Sequence, residues 1–345
     1  MIDFSNTSLE KLAVHKVGNK LKADSLKISK GLADIENQAT GELLLKYFLS
    51  PFNINEFYTL NHPTDINLNE IYSFSDKIFS NDANFYIQSI AIAKHLFEKS
   101  SHPKIKTGEL YVCLLRNCRV ENQTIDAIGI FKSERKETFL KVSPVKGNFE
   151  IDSEKGINVN KLDKGCILFN MEKESGYRVC IVDKANKTEE AHYWKEEFLN
   201  LKTCSDNYHH TKDYLNITKA FVTEILPEEV SKAEKIDILN RSMDYFKNKE
   251  QFNEQEFAGE VFENTNFIQS FSKYKEELQV EREFDIVDDF EISAPAVKKQ
   301  ERVFKSVLKL DKNFHIYIHG NKEMIEKGVD EKGRKFYKIF YNEEA

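Results

Sequence analysis

Apolar and polar positions along the chain change period several times. LAVHKVGN (residues 12–19) reads as a short strand, and DIENQATGELLLKYFLSPF (34–52) as a helix ended by Pro51. ANFYIQSIAIAKHLFEKS (83–100) predicts a second helix, with Tyr86, Ile90, Ala93 and Phe97 at helical spacing. From Gly108 the β-rich runs GELYVCLLRN, TIDAIGIFKS, ETFLKVSP, GCILFN and YRVCIVD are separated by polar turns such as VENQ and MEKESG. That spacing predicts an antiparallel meander. HYWKEEFLNL closes it as a short helix.

After Cys204 the helical period returns. Tyr214, Thr218, Phe221 and Ile225 form one stripe. Val230, Ala233, Ile236, Leu239, Met243 and Phe246 form another, with Pro227 in its first turn. Asn253 followed by Glu256 reads as an N-cap with its capping-box partner. The helix it opens carries Phe267, Phe271, Tyr274 and Leu278. From about residue 296 the pattern is β again. The expected fold is α+β in three parts: a mixed domain with an antiparallel meander over 1–205, an acidic helical module over 206–292, and a basic β-rich segment over 293–345.

Charge sharpens this division. The 345 residues carry a net charge of −7, which weighs against nucleic acid. Residues 1–223 balance 30 acids against 30 bases; 224–291 carry 19 acids and 8 bases; 296–345 carry 12 bases and 8 acids. The sign changes near Ala294 and Pro295, and such asymmetry is a statement about partners. Five cysteines (113, 118, 166, 180 and 204) with no CxxC argue against a disulfide framework or a zinc knuckle. With no secretory leader pattern and no apolar run of about 18 residues, the expectation is a reduced, cytoplasmic protein away from membranes.

Candidate chemistry is sparse. Walker A, GxGxxG, HExxH and GxSxG motifs are absent. Asp126 followed by Glu134-Arg135-Lys136 matches the acid plus E-x-K of Mg²⁺-dependent nucleases, but this E-x-K lies in the charged run KSERKE, which suits a solvated turn. His15, flanked by apolar residues, reads as a hydrogen-bonded core histidine, and His209 and His210 as exposed residues at a helix start. Trp194 reads as a core anchor. Cys113 and Cys118, an odd offset apart, should face opposite sides of a strand and serve in packing. In FHIYIH the two histidines are four residues apart, about 13 Å along a strand, too far to share one zinc. No metal, no cofactor and no enzymatic activity are expected.

A nucleic-acid surface fits the C-terminal segment better. DEKG is a hairpin turn. RKFYKIFY would then place Arg334, Phe336, Lys338 and Phe340 on one face, and Lys335, Tyr337, Ile339 and Tyr341 on the other. Upstream, KKQERVFKSVLKL adds Lys298, Lys299, Arg302, Lys305 and Lys309. Lys and Arg neutralise phosphates and release counterions without reading bases. The seven expected DNA contacts are Lys298, Lys299, Arg302 and Lys305, with Arg334, Lys335 and Lys338 from the hairpin. The acidic stretch supports a second reading, an adaptor docking on a basic protein partner.

Serial blocks along the chain also carry a resemblance. LAVHKVGN, GELYVCLLRN, DKGCILFN, YWKEEFLNL, FAGEVFENTNFIQSFSKYKEEL and NFHIYIHGNKEMIEKG with RKFYKIFY occur in this order. The chain resembles the bacterial 37-kDa nucleoid-associated protein family. The resemblance implies a cytoplasmic protein on the nucleoid that binds double-stranded DNA and has no enzymatic activity. It transfers no site residues. A two-fold homodimer is the expectation from the general frequency of such assemblies.

Overall fold

The computed structural model describes residues 2–343 except 53–55, 184–192, 228, 283–285, 302–303, 305–306, 311–313, 318–323 and 342. The fold is α+β, and the chain divides into two compact units, Met1–Cys204 and Ser205–Ala345.

Unit 1 begins with β1 (Ile2–Asp3), β2 (Ser8–Val17), α1 (Gln38–Leu49), β3 (Tyr58–Leu60), α2 (Glu70–Ser80) and α3 (Phe85–Lys99). It continues with β4 (Gly108–Val120), β5 (Gln123–Ser133), β6 (Glu137–Val145), β7 (Asn148–Gly156), β8 (Lys164–Phe169), β9 (Arg178–Asp183) and β10 (Leu201–Thr203). The main sheet runs β4-β5-β8-β9-β3-β10, with β1 and β2 both on the outer edge of β4, and its pairings are antiparallel. Helices α2 and α3 and a π turn at Tyr193–Phe198 cover one face; α1 and Phe52 cover the other. Two-sided cover explains why AIGIF in β5 and CILF in β8 are unbroken apolar runs: every residue of β8 is buried.

The meander holds with one excursion. ETFLKVSP pairs with residues 148–156 in a separate hairpin, β6–β7, while β5 pairs directly with β8. Register puts Leu140, Val142 and Pro144 on one side of that hairpin with Ile151 and Phe149, and these apolar side chains stand exposed. The stripe of α3 is turned by one residue: Phe85, Ser89, Ile92, Ala93 and Leu96 face the core. Helix α2 begins at the N-cap Asn69, whose side chain accepts from the Tyr72 N–H. Cys113 and Cys118 share a face after all, because a bulge between Leu115 and Cys118 adds the residue that restores the alternation. His15 is buried, with its Nε2 3.1 Å from Ser89 Oγ, and Trp194 is fully buried against Phe198.

In unit 2, α4 (Asn207–Ala220), α5 (Lys232–Asn248), β11 (Gln251–Asn253), α6 (Glu254–Phe262), α7 (Thr265–Arg282), β12 (Asp289–Glu291) and α8 (Ala294–Glu301) surround one aromatic core. Hairpins β13 (Val307–Leu310) with β14 (Phe314–Tyr317) and β15 (Ile325–Val329) with β16 (Lys335–Ile339) follow. Tyr214, Thr218 and Phe221 line the core, but Ile225 is exposed and Leu226 is buried in its stead. A π turn at Phe221–Ile225, in which the Leu226 N–H donates to the Phe221 carbonyl, slips the stripe by one residue. Helix α5 starts at Ser231, which accepts from the Glu234 N–H, so Pro227 lies ahead of the helix rather than in its first turn. Asn253 caps α6 as expected, accepting from the Glu256 N–H at 3.1 Å. Glu263, in the left-handed conformation, then ends α6 so that Phe267 to Leu278 belong to α7. KKQE is helical, because Ala296, Val297 and Gln300 are buried at helical spacing in α8.

One rung of the main sheet is chemically unusual. Lys132 of β5, Lys164 of β8 and Asp183 of β9 lie side by side, and both lysine side chains are buried. Lys164 Nζ lies 2.8 Å from both Asp183 oxygens. Lys132 Nζ meets Glu134 Oε1 at 2.9 Å and the Lys106 carbonyl at 2.8 Å. Tyr193 spreads its ring over both ammonium groups, at 5.9 and 5.1 Å. Removing one partner of a buried ion pair strands the other charge. Asp183→Ala is therefore expected to cost about 3–5 kcal/mol, and Lys164→Met with Asp183→Leu to recover most of that loss. Urea denaturation of the two variants checks this.

Candidate nucleic-acid interface

The sequence-predicted basic residues fall on two elements of unit 2. Lys298 and Lys299 occupy the exposed side of α8, whose other side enters the aromatic core through Val297, with Phe304 just beyond. Lys299 Nζ stands 5.9 Å from the Tyr208 ring centroid. Arg302 and Lys305 lie outside the described residues, as does the side chain of Lys309.

Arg334, Lys335 and Lys338 are brought together on the β15–β16 hairpin. Asp330 builds its turn: one carboxylate oxygen accepts from the Lys332 and Arg334 N–H groups, and the other from Arg334 Nε at 2.7 Å. These donors, the Arg334 backbone first, hold the Asp330 carboxyl below the usual carboxylate range. DEKG thus forms the turn, with Gly333 in the left-handed region. Tyr337 and Ile325 turn inward onto Ile236 of α5. The opposite face, with Phe336 and Lys338, is exposed. Lys338 Nζ lies 4.5 Å from the Phe340 ring and 3.4 Å from Glu326. Phe336 lies across the strand from Gly328, where any Cβ would strike its ring. The outward face therefore alternates cations with aromatic planes, an arrangement that suits phosphates and sugar edges.

The nuclease constellation is pulled apart. Asp126 lies in β5 and Glu134 beyond its end, eight residues away, or about 26 Å along a strand. Asp126 and Glu10 bind Arg116, which also meets Asp82 at 2.7 Å. Lys136 pairs with Glu109 at 2.7 Å. Glu134 is not in a solvated turn; it is buried as the counter-ion of Lys132. His209 is likewise buried rather than exposed, with Nδ1 2.8 Å from Asp206 Oδ1 at the N-cap of α4. Among the described residues no group of three or more His, Cys, Asp or Glu is placed to hold a metal ion.

Periodicity offered no hint of the Lys132–Lys164–Asp183 rung. A lysine at the end of an apolar run, as in AIGIFK, usually reaches solvent; here the π turn closes over it through Tyr193. Glu134→Gln is expected to lower stability by about 1–3 kcal/mol, because Lys132 keeps a hydrogen bond but loses its countercharge. Thermal denaturation of this variant checks the structural role, and an unchanged midpoint would refute it.

Among the described residues no helix is long and apolar enough to cross a membrane. No curated protein matches the chain. A family model described as nucleoid-associated protein YejK matches residues 13–337, from β2 in unit 1 to β16 in unit 2. Covering both units in this way, the match means that the chain belongs to the YejK family of nucleoid-associated proteins.

Proposed function

We propose that this protein is a non-enzymatic binder of double-stranded DNA on the bacterial nucleoid, holding the duplex mainly through phosphates with little sequence specificity. The observation that carries this reading is the outward face of the β15–β16 hairpin. Arg334 and Lys338 there alternate with exposed Phe336 and Phe340, and Lys335 adds a charge at the start of the strand. Lys298 and Lys299 on α8, with Arg302 and Lys305 after it, would extend the phosphate contacts. A net charge of −7 suits such a protein only if its cations are grouped, since affinity follows the local potential and not the total.

A second reading rests on residues 224–291, where 19 acids face 8 bases. That excess suits a basic protein partner, with the nucleoid reached through that partner.

Anisotropy of a labelled random-sequence duplex across a salt series separates the two. Deleting residues 296–345 would remove Val297 and Phe304 from the core, so substitution is the cleaner perturbation. Arg334→Gln with Lys335→Gln and Lys338→Gln is expected to weaken binding and to reduce the log–log salt slope by about 2–3, near 0.9 for each phosphate no longer neutralised. Absence of binding by the parent protein even at low salt would refute the DNA reading and favour the adaptor.

A further inference from the structure

We propose that unit 1 carries a second phosphate-binding surface for the duplex, assembled from two lysine-rich segments that are distant in sequence and adjacent in the fold. It rests on the DNA-binding reading. Residues 16–30, KVGNKLKADSLKISK, hold Lys16, Lys20, Lys22, Lys27 and Lys30 against a single carboxylate, Asp24. Residues 99–106, KSSHPKIK, hold Lys99, Lys104 and Lys106 and no carboxylate. The formal charges are +4 and +3, in a chain whose total is −7.

The fold pins these segments to one another. Asn19 is fully buried, and its Nδ2 donates to the carbonyls of His102 at 2.8 Å and Ile105 at 2.7 Å. The Lys20 N–H donates to the Ser100 carbonyl at 2.8 Å. Lys16 and Lys27 form a two-way backbone bridge, each N–H 2.8 Å from the other's carbonyl. Gly18 lets the loop close: a Cβ there would lie 2.5 Å from that of Asp24 and 2.8 Å from the Ser25 carbonyl oxygen. The surface is therefore held by backbone and buried-amide bonds and does not depend on the lysine side chains.

Its carboxylates are already engaged. Asp24 accepts from Thr107 Oγ1 at 2.5 Å and from the Asn19 N–H at 3.2 Å. The Thr107 bond, then the Asn19 bond, keeps its pKa low. Glu98 is bound to Lys20. Seven of the eight lysines are exposed, and Lys99 is half-buried. Concentrating like charge on a rigid loop is unfavourable by itself, and a polyanion is the chemistry that relieves it. Lysines act as point charges, so the surface would bind the sugar-phosphate backbone without reading bases.

The test uses the full chain and the same labelled duplex. Lys16→Gln, Lys22→Gln, Lys27→Gln and Lys106→Gln are combined in one variant, two segments together. All four side chains are exposed, so folding should be kept, which circular dichroism verifies. The expected result is weaker binding and a log–log salt slope reduced by about 3–4. Combining these with the three hairpin substitutions should reduce the slope by the sum of the two effects. If the parent binds and the unit 1 variant keeps its slope, this surface is refuted while DNA binding through unit 2 stands. If the parent does not bind at low salt, the DNA reading falls and this surface falls with it.

Discussion

Two ammonium groups shut away from water set the terms for unit 1. Lys132 and Lys164 face each other across β5 and β8, and a buried charge is tolerated only when paired and hydrogen-bonded. Their neutralisation draws in Glu134 from beyond β5, Asp183 from β9, the Lys106 carbonyl from before β4, and the Tyr193 ring from the π turn. Asp163, also buried, accepts from the Glu134 and Arg135 N–H groups and holds Glu134 in place. Hydrophobic burial constrains which face of a strand turns inward; the paired charges also specify which residues stand opposite one another. The Lys106 carbonyl ties this interior network to the loop on which the surface lysines sit, so the charged interior and the charged exterior share a strut.

Unit 2 is organised by aromatic contact. Tyr214 lies 4.2 Å from Phe252 and 5.4 Å from Phe257, centroid to centroid, and Phe252 stacks on Phe246 and Phe290. These rings come from α4, α5, β11, α6 and β12, so one cluster joins helices to the short β11–β12 ladder. The β15–β16 hairpin is attached more lightly, through Ile325 and Tyr337 on Ile236. Unit 2 thus joins a firmly packed aromatic body to a basic, aromatic hairpin held by few side chains.

Much of the architecture could be read from the chain. β-rich runs bounded by polar turns mark β4, β5, β8 and β9, and the Asn253–Glu256 pair marks a helix start, because both signals are local. Periodicity departs from the structure where one added residue changes phase, at the bulge before Cys118 and the π turn after Ala220, and where the left-handed Glu263 divides one expected helix into two without moving its stripe. The site was harder. Acids and bases balance over residues 1–223 as a whole, which masks the local lysine excess of 16–30 and 99–106. Their meaning depends on Asn19 joining them, and one asparagine in a strand-like stretch carries no such signal. Glu134 looked solvated for a similar reason: its partner Lys132 is only two residues away, but the ring that covers them comes from the π turn some sixty positions on.

The β6–β7 hairpin stands apart from this economy. Its neck is closed by Asp163 binding the Glu134 and Arg135 N–H groups, and β5 pairs with β8 without reference to what lies between. Residues 137–156 are thus a parenthesis in the sheet. Loop-closure cost grows only slowly with length, so the parenthesis can be shortened, extended or exchanged for foreign sequence without moving a rung of the ladder. Divergence in length among related chains can accumulate there at little cost to the fold, and a reporter domain could be inserted there while the basic surfaces keep their geometry.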